Sequence, residues 1–149
     1  MKTKIQKVYV DTGFGFPVRL LNVPMVHVRG VWTPKINTNE LAVAVLHALG
    51  RKAARLTGNQ IRFIRHHFEM TLQDFARRFC VSHVAVLKWE RAGNRPVATH
   101  WTTEKDMLLF VLSRLKAKPG DLARLYEALE IRPAQKAAPM HLDARELAA

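Results

Sequence analysis

The sequence has a single cysteine, Cys80, among 149 residues. One cysteine cannot form an intrachain disulfide, and it excludes a cysteine-rich zinc site. No apolar run reaches the roughly 18 residues that a membrane span requires, and no apolar stretch follows the charged start as it would in a signal peptide. We therefore predict a cytoplasmic protein without a membrane partner, and we interpret Cys80 as a small buried residue rather than a redox sensor.

Acidic side chains are scarce, because 12 Asp and Glu stand against 24 Lys and Arg, for a formal net charge of +12. The excess of basic side chains is distributed unevenly along the chain. Residues 51–95 hold ten basic and three acidic side chains, whereas residues 96–149 hold eight and seven. A concentrated cationic segment of this kind indicates a polyanionic partner such as nucleic acid, although basic proteins can also bind anionic membranes or nothing specific.

The N-terminal residues 4–32 predict a small antiparallel β-meander. Segments rich in β-branched and apolar residues alternate with glycine- or proline-containing turns, a pattern typical of short paired strands. We expect Phe14 and Phe16, which flank Gly15, to offer a surface to a protein partner. The β-prone segments are Val8–Val10, Val18–Leu21 and Met25–Arg29.

Further along the chain, apolar residues recur at helical spacing, and hydroxyl residues stand where helices would begin. Thr57, Thr71 and Ser82 are predicted to cap three successive helices. Thr102 or Thr103 is expected to cap a fourth helix, and a fifth follows it. We expect the apolar residues of the fourth and fifth helices to supply a dimer surface.

The predicted fold class is α+β, a small β-rich N-terminal module followed by an all-α domain of five helices. A short helix that ends at Gly50 links the two parts. The predicted boundaries are 1–38 for the β-rich module, 39–56 for the helical linker, 57–132 for the five-helix domain and 133–149 for a mobile tail.

The second and third of the five helices are short and are separated by three or four residues, a geometry that fits the DNA major groove. A set of apolar, capping, turn and charged residues recurs here at Ile61, Arg62, Arg65, Met70, Thr71, Phe75, Ala76, Val81, Ser82, Val86, Trp89, Glu90, Arg91 and Gly93. With these residues, over roughly residues 57–117, the sequence resembles the Cro/C1-type (Xre) helix-turn-helix. Cys80 stands where that family usually has a turn glycine, and Leu72 stands where it usually has a glutamine.

The resemblance implies that the third helix reads base edges with its exposed N-terminal face. The side chains of Lys88 and His83 can donate hydrogen bonds to guanine. Val84 or Ala85 can pack against a thymine methyl. Leu72 stands at a position that often contacts DNA in the family. Its neighbour Gln73 is therefore also a candidate for base reading. The base-reading candidates are therefore Ser82, His83, Val84, Ala85, Lys88 and Gln73.

A second set of residues is predicted to position the protein on the phosphate backbone, either with basic side chains or with main-chain N–H groups at helix starts. Trp89 follows Val86 at helical spacing and is predicted to lie in the core. The resemblance further implies a structural ion pair between Arg65 and Glu90. The phosphate-contacting candidates are Thr71, Arg77, Arg78, Arg91, Asn94 and Arg95.

The resemblance implies a sequence-specific transcriptional regulator of double-stranded DNA, a homodimeric repressor that reads an inverted repeat. More loosely, a β-rich module followed by this motif resembles the MqsA-type antitoxins, which repress their own operon and bind a toxin. This chain lacks the zinc cysteines of that family, so a toxin partner at the N-terminal module rests on analogy. A third alternative is a nonspecific nucleic-acid-binding protein, including one that binds RNA.

No arrangement of residues carries a recognisable catalytic signature, and we predict neither an enzyme nor a cofactor. Thr12–Phe16 lacks the Gly-Lys-Ser/Thr ending of a phosphate loop. His66 and His67 are adjacent, so their side chains diverge by about 100° on a helix and cannot share one ion. We therefore predict no metal site.

Overall fold

The computed structural model describes residues 2–51, 55–127 and 140–147, which form a mixed α+β structure. These residues build one four-stranded sheet and six α-helices. The chain divides into two compact units, Met1–Val45 with Pro139–Ala149, and Leu46–Ala138. The predicted α+β class is confirmed.

The sheet is organised around β2 (Val18–Val28), its central strand. β1 (Thr3–Asp11) pairs antiparallel with β2, from Asp11 opposite Val18 to Thr3 opposite Val26. β3 (Val31–Pro34) pairs antiparallel with the last residues of β2. β4 (Met140–Asp143) runs parallel to the first residues of β2, on the edge away from β1.

The predicted meander is present, but its second and third segments form one strand. Asn22 adopts a φ of 55° inside β2 and bends the strand without ending it. No glycine interrupts the chain there, and Val23 and Met25 continue the buried face of the strand. The chain turns back only at Gly30, which has a φ of 81° that glycine adopts at little cost.

Phe16 does not offer the partner surface that we predicted. Only 3% of the residue is exposed, because it packs in the core of the first unit with Val18 and Leu20. Phe14 is half-buried, and its ring lies 6.2 Å from that of Phe16. An apolar residue beside a turn can thus belong to the core of a small sheet, and turn position alone does not distinguish the two cases.

The predicted mobile tail is wrong for residues 140–147. β4 extends the sheet, and a short 3₁₀ helix, Ala144–Leu147, follows it with both end residues buried. The main-chain N–H of Asn37 donates to the carbonyl of Leu147 at 2.9 Å. The guanidinium and the main-chain N–H of Arg145 donate hydrogen bonds to the Asp143 carboxylate. These bonds lower the pKa of that carboxyl to about 2. The remaining residues of that predicted tail, 133–139 and 148–149, lie outside the described residues.

The second unit contains the five helices that the sequence predicted after residue 57. A further helix, α1, begins in the first unit and ends in the second. Asn37 accepts the N–H groups of Asn39 and Glu40 at its start, so the predicted helical linker is helical as far as Gly50. The helices are α1 (Thr38–Gly50), α2 (Gly58–His67), α3 (Leu72–Arg78), α4 (His83–Glu90), α5 (Trp101–Arg114) and α6 (Pro119–Glu127).

The start of α5 differs from the prediction, because the helix begins at Trp101 and neither Thr102 nor Thr103 caps it. The fully buried Glu104 fixes this end of the helix instead. Its carboxylate accepts the main-chain N–H of Leu56 and pairs with Arg55 Nε at 2.8 Å. A buried carboxylate of this kind depends on a partner distant in sequence, which local spacing cannot reveal.

The helices of the second unit share one core. Phe75 packs edge-to-face against Phe79, and Phe79 against Phe110 of α5. The apolar residues Met107 and Leu108 are fully buried in this core, so most of the apolar face of α5 is not available as the dimer surface that we predicted. A groove of about 440 Å³ lies between α3, α5 and α6, and its lining includes Leu109, Leu122 and Tyr126.

Candidate nucleic-acid interface

α3 and α4 are joined by the four residues Phe79–Ser82, within the length that the sequence predicted. Cys80 adopts a φ of 57° at the turn, and the N–H of Val81 donates to Ala76 at 3.0 Å. This hydrogen bond satisfies one of the last carbonyls of α3, and the chain reverses its direction within this turn. Cys80 is exposed, so its interpretation as a buried residue was wrong. Its left-handed conformation is one that glycine adopts with less strain than other residues.

Both helices begin with a side-chain cap, as predicted. The Thr71 hydroxyl accepts the N–H of Asp74 at 3.0 Å, and the Ser82 hydroxyl accepts the N–H of Ala85 at 3.1 Å. The Asp74 carboxylate in turn accepts the N–H of Thr71 at 3.4 Å. The main-chain N–H of Thr71, a predicted phosphate donor, therefore has an internal acceptor, whereas each capping hydroxyl keeps its own proton to donate.

α4 presents two different faces. Val86 and Trp89 are buried, Trp89 with 7% of its surface exposed, which confirms Trp89 as a core residue. At 100° per residue, Val84 and Lys88 fall on the opposite side, and both are exposed. Val84 is 60% exposed, which is a large fraction for an apolar residue on a helix whose other side is buried.

The remaining base-reading candidates surround this side of α4. Ser82 and His83 are exposed at its N-terminal end, and Ala85 is half-buried. Gln73 is exposed in the first turn of α3. The structure thus brings five of the six candidates together on α4 and its cap, and it places Gln73 on the preceding helix.

An ion pair with α2 fixes the orientation of α4. Arg65 donates from Nε and Nη2 to the two carboxylate oxygens of Glu90, at 2.8 and 2.9 Å. Its Nη1 also donates to the carbonyl of Met70 at 3.1 Å. The side chains of Arg65 and Glu90 are 13% and 8% exposed, so the predicted structural pair is confirmed and is largely shielded from water.

Gly58 provides a second anchor, which the sequence analysis missed. A Cβ atom at this position would lie 2.3 Å from the carbonyl oxygen of Trp89. The neighbouring Asn59 N–H donates to the carbonyl of Gly93 at 2.8 Å, so the start of α2 packs directly on the end of α4. A glycine at the first position of a well-capped helix, where most residues would favour helix formation, was the available signal.

The predicted phosphate-contacting arginines occupy different environments. Arg91 and Arg95 are exposed at the C-terminal end of α4, and Arg77 is exposed beside Asp74 at 3.6 Å. Arg78 instead turns toward α5, where its Nη1 lies 3.3 Å from Asp106. Its guanidinium also lies over the rings of Phe79 and Phe110, at 5.0 and 5.3 Å from their centroids.

Arg78 therefore forms a contact between α3 and α5, a role that sequence spacing did not indicate. Asn94 is exposed, and its side-chain oxygen accepts from Asn59 at 3.0 Å. The sequence placed both residues beside cationic neighbours and so grouped them as phosphate ligands. Their partners on α5 and α2 became visible only with the tertiary structure.

No helix in the described ranges is long and apolar enough to cross a membrane. Within the same ranges, no three His, Cys, Asp or Glu side chains converge as metal ligands would. No family model, curated protein or solved structure matches the chain. The resemblance to Cro/C1-type regulators therefore stays a prediction, and a function has to be inferred from the residues of α3 and α4 themselves.

Proposed function

We propose that the chain is a sequence-specific regulator of transcription that binds double-stranded DNA and places α4 in the major groove. The observation that carries this proposal is the exposed side of α4, where Val84 and Lys88 project from a short helix whose other side is anchored by Trp89 and Glu90. Eight residues at 1.5 Å each make a helix about 12 Å long, comparable to the width of the groove.

The side chains on α4 suit the chemistry of base edges. Lys88 can donate to guanine O6 and N7, and His83 can do so from a ring nitrogen. Val84 can pack against a thymine methyl, which accounts for an apolar side chain that is 60% exposed. A purely electrostatic nucleic-acid surface has no need of that residue.

Cations next to α4 suit the sugar-phosphate backbone. Arg91 and Arg95 lie just beyond its C-terminal end, and Arg77 lies on α3. Contacts of this kind set the position of the helix on the duplex and make the affinity dependent on salt. The net charge of +12 for the whole chain has the sign that this role requires.

One helix reads only a few base pairs, so we propose that the regulator acts as a homodimer on an inverted repeat, with half-sites about 34 Å apart. Repression by such a dimer, rather than activation, is part of the same proposal. The groove lined by Leu109, Leu122 and Tyr126 is apolar surface that remains exposed on the second unit. The antitoxin alternative stays a prediction.

Selection of bound duplexes from a random DNA pool tests this function with the full chain. The expected result is an enriched motif with two-fold symmetry, bound at least about 10³-fold more tightly than a scrambled duplex. Enrichment of an unrepeated motif would contradict the homodimer. Equal affinity for scrambled duplex and single-stranded RNA would contradict sequence-specific regulation and favour the nonspecific alternative.

A further inference from the structure

β1 is an edge strand of the sheet in the first unit. Among the described residues, β1 pairs with β2 alone, while β3 and β4 occupy the other edge of β2. β1 is nine residues long, longer than the usual five or six. A long strand with an unpaired row of N–H and C=O groups is a template to which another extended chain can be added.

The side chains of β1 are unusually apolar for an exposed edge. Ile5 is 63% exposed, and Val10 is 51% exposed. Edge strands of stable proteins are normally covered, short or charged, whereas β1 is long and exposes apolar side chains between its lysines, so this surface fits a chain that packs on it.

The charge around β1 indicates what kind of chain that is. Lys2 and Lys7 are exposed beside and on the strand, while Lys4 places its ammonium 4.3 Å from the centroid of the Trp32 ring on β3. Asp11 is the only acidic residue of β1. Residues 1–35 as a whole hold six basic side chains and one acidic one. A second copy of β1 would bring lysines close to lysines, whereas an acidic strand would place carboxylates beside them.

We propose that β1 is a docking edge to which an extended acidic segment of a partner protein adds as a fifth strand. Main-chain hydrogen bonds supply the affinity, Ile5 and Val10 pack against β-branched side chains of the segment, and the lysines select carboxylates. This inference does not depend on DNA binding by α4, because the two surfaces share no residue.

The probe is a synthetic peptide of about ten residues, matched to the length of β1, in which Val or Thr alternates with Glu. Two analogues accompany it, one with Lys in place of Glu and one with N-methyl groups on alternate main-chain nitrogens. Binding to the full chain is measured by titration, and the contact is located by hydrogen exchange. We expect the Glu peptide to bind at least about tenfold more tightly than either analogue and to protect amides of residues 3–11.

The matched variants are Lys2→Glu/Lys7→Glu at β1 and Lys116→Glu/Lys118→Glu on the exposed segment after α5, which change the net charge equally. The first variant should lose at least about tenfold in affinity for the Glu peptide, and the second should change it by less than about twofold. Equal loss in both variants, equal binding of the N-methyl analogue, or the absence of protection in β1 would each overturn the proposal. So would dimerisation of the full chain through β1, detected by light scattering and abolished by Ile5→Lys.

Discussion

Arg65 on α2 and Glu90 on α4 are joined by two hydrogen bonds of 2.8 and 2.9 Å, and this pair is a polar link that holds α4 against α2. Both side chains are largely buried, so each depends on the other to offset the cost of leaving water. Arg62 approaches the same carboxylate only to 4.0 Å and is 64% exposed. The two arginines therefore form a matched comparison on one helix.

We expect Arg65→Met to reduce the free energy of unfolding by about 2–4 kcal/mol, because it leaves Glu90 buried without its main partner. Arg62→Met should cost less than about 0.5 kcal/mol, as is usual for an exposed ion pair. Adding Glu90→Leu to Arg65→Met should recover part of the loss. Denaturant melts of the four proteins give these values, and equal losses from the two arginine variants would contradict the role assigned to Arg65.

Gly58→Ala should destabilise the helical unit by about 1–3 kcal/mol, because the added methyl group would lie against the carbonyl oxygen of Trp89. Gly120→Ala is the control, since nothing lies within 4 Å of its added Cβ atom and alanine favours a helix by about 1 kcal/mol. Thermal melts should therefore shift in opposite directions. A Gly58→Ala protein as stable as the wild type would mean that α2 and α4 can separate there without cost.

Cys80 occupies the left-handed conformation that glycine adopts freely, and its side chain is exposed. Cys80→Gly should therefore leave the stability unchanged or raise it by up to about 1 kcal/mol, since relief of strain and loss of chain entropy oppose each other. Cys80→Val should lower it by more than about 1 kcal/mol, because a β-branched side chain is poorly tolerated there. If melts rank Val above Gly, the turn must adopt another conformation in solution.

The environment of His47 predicts that the stability of the protein depends on pH. Burial, with a smaller contribution from Arg51, lowers the pKa of its imidazole, and Asp121 opposes the shift. The folded state thus favours the neutral imidazole. The stability that this ring contributes is fully present above about pH 6.5, its unfolded pKa, and is lost as the pH falls through the folded pKa. Melts between pH 7.5 and 5 should show this loss in the wild type and less of it in His47→Gln. A His47→Gln protein whose stability fell with pH as steeply as that of the wild type would contradict the assignment.

The sequence predicted the parts of the fold that depend on local signals. Thr57, Thr71 and Ser82 cap helices as expected, because a hydroxyl at a helix start bonds an N–H only two or three residues away. Trp89 was placed correctly by its spacing from Val86. Each of these predictions relied on residues within one or two turns of each other.

The parts that failed depend on partners distant in sequence. β4 joins β2 across more than a hundred residues, and a segment of four residues is too short to be predicted as a strand from its pattern. Arg78 is exposed enough to resemble a phosphate ligand, but Asp106 and Phe110 lie beside it in the folded unit. The exposed side of α4 could be predicted, whereas the contacts that anchor its buried side could be identified only in part.

The exposed side of α4 and the arginines beyond it should respond differently to mutation. Lys88→Ala should weaken binding to the selected operator by about 1–3 kcal/mol while leaving binding to a scrambled duplex nearly unchanged, because a base-edge contact is lost. Arg91→Ala should weaken binding to both duplexes alike and should reduce the slope of log affinity against log salt by about one, as the loss of one phosphate contact requires. Lys118→Ala, on an exposed residue just before α6, should change neither quantity. Gel-shift titrations at several salt concentrations separate the effects, and if Lys88→Ala lowered both affinities by the same factor, α4 would not be the element that distinguishes one sequence from another.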